Sequence, residues 1–208
     1  MDKVFLSEDD EIFDIRKDGV FKAVFTKDTP ESTGALAKLV SALIGRDVSI
    51  VSLLANEPSI ENIQDRQLRF DINCRAESGE LINVEMSLNP KSFEHIRMEF
   101  HVARLFSAQG IKGTYRNYND LKKAYQITIL AKDRFFPDEE FFHTFEYYDP
   151  ERRVSLNGRS RIISLELSKL ERVVEKSVGE MSKSEQWGVY LEYLTDRSKR
   201  SKINEIVL

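Results

Sequence analysis

The apolar residues Val20, Phe21, Val24 and Phe25 fall on one face of a helix, and Asp18 just ahead of them suits its N-cap. From Pro30, PESTGALAKLVSALIG places Leu36, Leu39, Val40, Leu43 and Ile44 on one face, with Pro where a helix starts and Gly45 where it stops. The β-branched stretch DVSIVSLL then predicts a strand from Val48 to about Asn56. Further on, Phe93, Ile96, Phe100, Ala103, Leu105 and Phe106 recur at roughly helical spacing and predict a long amphipathic helix closed by Gly110. KKAYQITILAKD reads as a buried strand. The segment from Phe141 to Leu170 offers two or three more, with turns at Asp149-Pro150 and Asn157-Gly158. From about Ser182 the chain is predicted helical and ends in a basic run. No repeat or linker divides this succession, so it predicts one mixed α/β unit.

The most informative alternation lies in RFDINCRAESGELINVEMSLNP, residues 69–90. Phe70, Ile72, Cys74 and Ala76 alternate with Arg69, Asp71, Asn73 and Arg75, and after a turn Ile82, Val84, Met86 and Leu88 alternate with Asn83, Glu85 and Ser87. The apolar faces coincide only if facing positions sum to an even number. A three-residue turn at Glu77-Ser78-Gly79, with Gly79 free to take left-handed geometry, meets that condition and sets Asp71 opposite Glu85. Like charges about 5 Å apart destabilise such a pair, so positive charge is expected between them. Two readings fit. A divalent cation would be suited by the oxygen ligands, magnesium, manganese or calcium rather than zinc. Alternatively the acids belong to a solvated polar face and are neutralised by Arg69 or Arg75.

Composition narrows the chemistry. With 208 residues, 41% hydrophobic and 32% charged, the chain is of globular type, and its net charge of −4 excludes binding of nucleic acid through bulk positive charge. Cys74 is the sole cysteine, which excludes an internal disulfide or a Cys-rich zinc site, and His95, His101 and His143 form no ligand pair. The N-terminal residues lack a signal-peptide layout and no run reaches the ~20 apolar residues of a membrane span, so a cytoplasmic location is expected. Walker A, GxGxxG and nucleophile-elbow motifs are missing, leaving nucleotide hydrolysis, dinucleotide redox and serine hydrolase chemistry without support. His95 and His101 read as packing residues. Phe141, Phe142, Phe145, Tyr147 and Tyr148 read as sheet packing rather than a base-stacking platform, and Arg197, Lys199, Arg200 and Lys202 as a solvated helix end.

The ordered segments DGVFKAVF, LVSALIG, RFDINCRAESGELINVEMS, IRMEFHVARLFSAQ, YNDLKKAYQITIL and LELSKL, spanning about Asp18 to Leu170, resemble the bacterial PD-(D/E)XK nuclease family transposases, also described as recombination-promoting nucleases. The resemblance implies a restriction-endonuclease-like α/β fold, a mixed central sheet flanked by helices, over residues 1–180, with 181–208 a helical extension and a shortened form of the family's tail. It implies a metal-dependent DNA endonuclease with Asp71 and Glu85 as metal-binding acids, the Val84 carbonyl as a further ligand, and Mg²⁺ ahead of Mn²⁺ or Ca²⁺. The family places Gln, or in the wider superfamily Lys, two residues after the Glu; here Ser87 stands there, shorter than either and unable to supply charge. Gln109 is expected to compensate, ahead of Arg97 and Lys22. DNA is the implied partner, with a homodimer where both strands are cut. The alternative is a nuclease-fold protein that binds DNA or a protein partner without cutting.

Overall fold

The structure, a computed structural model, describes residues 5–7, 9–55, 70–109 and 117–206. Helices α1 (Asp18–Phe25) and α2 (Pro30–Ile44) come first, followed by strand β1 (Ile50–Leu53) and the hairpin β2 (Ile72–Ala76) and β3 (Leu81–Ser87). Helix α3 (Glu94–Ser107) leads back to β4 (Ala124–Leu130). Then come β5 (Phe142–Phe145), the short β6 (Tyr148–Asp149) and β7 (Val154–Ser155), β8 (Ser160–Glu166), and helices α4 (Lys183–Tyr193) and α5 (Arg200–Glu205). The expected strand end at Asn56 and the helix stop at Gly110 lie outside the described residues. Among those residues no helix is long and apolar enough to cross a membrane.

Local signals set several of these boundaries. The Thr29 side chain accepts the Ser32 N–H, Pro30 occupies the first turn, and Gly45 closes α2 at φ 80°, in the left-handed region that disfavours a side chain. Asp18, expected as a cap, is instead the first residue of α1; the cap position is Lys17 and no side chain caps the helix. The Asp18 carboxylate instead pairs with Lys22 one turn on, at 2.9 Å.

Six strands form one mixed sheet in the order β1-β2-β3-β4-β8-β5, with β3, β4 and β8 parallel and the outer pairings antiparallel. The hairpin has the register expected from alternation. Ile72 faces Val84 and Arg75 faces Leu81, and residues 77–79 make the turn with Gly79 at φ 87°. One sheet face is apolar: Ile72, Cys74, Ile82, Val84, Ile127, Ile129 and Leu165 pack in one core with Phe21 and Phe25 of α1, Leu36, Leu39 and Val40 of α2, and Trp187, Val189 and Leu191 of α4. The tail beyond residue 180 thus contributes to the same core as the sheet. Its basic end is not simply solvated: Arg200 is buried, Lys199 pairs with Glu175 at 2.8 Å, and Lys202 donates to the Lys176 carbonyl. The Asn204 amide donates to the Leu6 carbonyl and accepts the Leu6 N–H, both at 2.9 Å.

The opposite face carries α3, alone among the helices of the described residues, and is polar at its centre. Asn83, Glu85, Gln126, Thr128 and Ser164 are buried there, while Phe70, Leu81 and Ala124 form a small apolar cluster with Val102 and Leu105. This polar centre decides which side of α3 turns inward. Phe93, Ile96 and Phe100, expected on the buried stripe, are more than half exposed; Glu94, Met98, His101, Val102 and Leu105 are buried. Carboxylate and amide groups beneath the helix need donors, which His101 can supply and phenyl rings cannot. The expected aromatic packing divides similarly. Phe141 and Phe142 rest against the core, whereas Phe145, Tyr147 and Tyr148 are exposed where the chain leaves edge strand β5 for the two-stranded β6–β7 ribbon.

At the end of β8 a second buried charge fixes the connection between β4 and β5. Glu166, fully buried, accepts the Phe135 and Phe136 N–H groups at 2.7 and 3.3 Å and pairs at 2.6 Å with the buried Lys169, whose ammonium also donates to the Glu140 carbonyl. Removing one partner of such a pair strands a charge. Lys169→Met is therefore expected to destabilise the fold by about 3–5 kcal/mol, and Glu166→Gln/Lys169→Met to recover much of that loss, read as midpoints in urea unfolding with an unchanged slope.

Candidate active site

Asp71 and Glu85 occupy the mouth of the hairpin. The last paired residues of β2 and β3 are Ile72 and Val84, so the same register carried one step further brings Asp71 and Glu85 side by side. Asp71 immediately precedes β2 and its Oδ2 accepts the Met86 N–H at 3.2 Å. Glu85 is 2% exposed. Burial first, and then the neighbouring Glu85 charge, raise the Asp71 pKa above its ordinary value against the opposing pull of Lys22. The carboxylates therefore sense each other, as two acids crowded at one site must.

Their counter-charges come from both sheet faces. Lys22, on α1, sits 3.1 Å from Asp71 Oδ1 and 2.9 Å from Asp18 Oδ1. Although burial works against its charge, those two carboxylates hold its pKa above the ordinary value. Arg97, one turn into α3, places Nη2 3.0 Å from Glu85 Oε2 and Nη1 2.9 Å from Glu94 Oε1. His101, one turn further, brings Nδ1 to 2.7 Å from Glu85 Oε1. Beneath α3, Asn83 donates to both Glu85 Oε1 and Gln126 Oε1, and Gln126 donates to Thr128. Glu85 is thus buried among donors from α3 and β3 rather than solvated. Arg75 is exposed, and Arg69 lies outside the described residues.

The other expected site residues divide. Ser87 ends β3 two positions beyond Glu85, on the same face and nearly buried. Val84 is fully buried inside the sheet, opposite Ile72 of β2 on one side and Ile127 of β4 on the other, so its backbone lies within the paired part of the hairpin rather than at its open end. Gln109 is not brought to the acids. Its amide bonds the Lys122 backbone twice, each at 2.8 Å, beside the start of β4. Because α3 runs back along β3, its N-terminal turns overlie Glu85, and twelve residues of helical rise carry Gln109 roughly 18 Å away. Arg97 and Lys22, ranked behind it, are the residues at the site. His101, expected only to pack, touches Glu85; the readable signal was Glu94, Arg97 and His101 recurring every three or four residues on one helix face.

The donor set suits a hard cation. No group of three or more His, Cys, Asp or Glu side chains able to hold a metal occurs among the described residues. Two carboxylates remain, and Mg²⁺ is commonly held by one or two carboxylates together with water and substrate phosphates. A mixed sheet with helices on both faces, bearing paired acids at the mouth of its hairpin, defines the restriction-endonuclease-like nuclease class. The chain belongs to the PD-(D/E)XK nuclease family transposases, whose family model matches residues 15–206. Nucleases of this class generally use divalent metals. No curated protein and no solved structure matches the chain significantly.

The raised Asp71 pKa has a sign. The folded protein keeps this proton to higher pH than the unfolded chain does, so Asp71 favours folding most at acidic pH and loses that contribution as pH rises through its folded value. Asp71→Asn removes the loss while keeping an acceptor for the Met86 N–H. In metal-free buffer its melting temperature at pH 7 is expected to be ~2 °C above the wild type. Thermal melts should show that difference disappearing below the unfolded carboxylate value of about 3.9. A lower melting temperature for Asp71→Asn at pH 7 would show that the Lys22 pair outweighs crowding by Glu85.

Proposed function

We propose that this protein is a metal-dependent DNA endonuclease of the recombination-promoting, transposase-associated type. The observation that carries the proposal is the crowding of Asp71 against Glu85 at the hairpin mouth, with Lys22 and Arg97 ringing the pair. Asp71 and Glu85 would hold the cation, Mg²⁺ first. A bound cation supplies positive charge at the scissile phosphate and acidifies the attacking water. Val84 is a poorer carbonyl ligand than expected. Carbonyls two residues apart on a strand point the same way, and that of Met86 lies beyond the last β2 pair.

Lys22 takes the role that Ser87 cannot fill. Its ammonium adjoins Asp71, on a side chain about one-third exposed, and can orient water or neutralise charge developing on the phosphate. Arg97, similarly exposed and bridging two carboxylates, presents a planar fork suited to a phosphate oxygen pair. DNA would then approach the end of the sheet where β3 finishes and α3 begins, and two copies would serve two strands. Two observations favour the second reading, binding without cutting: Ser87 carries no charge, and Arg97 already satisfies Glu85 Oε2.

Plasmid nicking with Mg²⁺, Mn²⁺ or Ca²⁺ tests the proposal. Asp71→Ala and Glu85→Ala are expected to fall to background, Lys22→Ala to lose about 10²-fold, and Gln109→Ala to cut like the wild type. If no metal yields nicking above the Asp71→Ala control, the cutting activity is rejected. Salt-sensitive DNA binding that persists without metal would then support the second reading.

A further inference from the structure

The two oxygens of Glu85 are held differently. Oε2 meets the Arg97 guanidinium, whose side chain is 38% exposed. Oε1 faces inward, where Asn83 Nδ2 lies at 3.1 Å and His101 Nδ1 at 2.7 Å. The His101 ring is 3% exposed and stands edge-on to Phe70, with centroids 5.4 Å apart and planes at 88°. Packing therefore fixes the ring before any ligand arrives. Nδ1 lies close to Glu85 Oε1 but makes no hydrogen bond in this unliganded arrangement. Such bonds are often poorly aligned in unliganded sites and tighten in the complex.

An apolar residue at position 101 would fill the same space beside Phe70. Only a side chain with an N–H can also meet Oε1, which is sunk in the sheet face and closed off from water. We propose that His101 is a positioning residue for Glu85. With Asn83 it pins Oε1, so that Oε2 alone is presented on the exposed side, where a cation exchanging with Arg97 would bind through one oxygen. This inference rests on the reading of Asp71 and Glu85 as metal-binding acids. Donors to a ligating carboxylate typically contribute 10–100-fold in metal affinity.

The test is Mn²⁺ titrated into the full chain and followed by electron paramagnetic resonance. His101→Phe keeps the packing and deletes the donor; His101→Asn restores an N–H near the Nδ1 position, and His101→Gln places one farther out. His101→Phe, which leaves Oε1 to Asn83 alone, is expected to melt a few degrees below the wild type and to bind Mn²⁺ about 10–100-fold more weakly, with His101→Asn regaining most of the lost affinity. Unchanged Mn²⁺ affinity in folded His101→Phe overturns the proposal. Should His101→Phe fail to fold, the Asn and Gln variants decide: tighter binding by Asn supports positioning through Nδ1, and equal affinities overturn it. If the wild type binds no more Mn²⁺ than Asp71→Ala, the metal reading itself fails and this inference falls with it.

Discussion

A charged carboxylate in the middle of a sheet, covered by a helix and almost wholly shut off from water, is tolerable only if donors converge on it. Glu85 is such a group, and much of the surrounding structure answers to it. Asn83 and Gln126 extend hydrogen bonding across two strands beneath it, and α3 turns a polar stripe toward it. Among the described residues the opposite face of the same sheet is packed with aliphatic and aromatic side chains. The fold therefore has one face that supplies cohesion and one that accommodates charge.

The same division explains what sequence pattern makes legible. The hairpin register followed from strict alternation on both strands and from a glycine able to take the left-handed turn, because a slip by one residue would have buried Asn and Asp against the helices of the apolar face. The limits of α2 followed from proline at its start and glycine past its end. These are local constraints, and local sequence carries them.

The face of α3 was not legible, because the helix offers two stripes. Phe93, Ile96 and Phe100 outrank Glu94, Arg97 and His101 in hydrophobicity, and only the polar centre of the sheet beneath reverses the choice. Gln109 was misplaced for a related reason: a helix crossing back over its own strand sends its two ends to opposite edges, which spacing alone does not reveal. Lys22 lies in DGVFKAVF, yet its approach to Asp71 depends on how α1 is set against the hairpin mouth. The acids were readable from strand pairing, whereas Lys22 and Arg97 were named but ranked behind Gln109, since tertiary placement decides which cation reaches the acids.

The reciprocal amide clasp between Asn204 and Leu6 links segments 198 positions apart. Each segment then serves as the other's docking partner, so their unfastening is one cooperative event rather than two independent frayings. A protease that nicks the leading strap ahead of α1 should loosen α5, and trimming α5 should expose the strap, so limited digestion from either side would converge on the same shortened body.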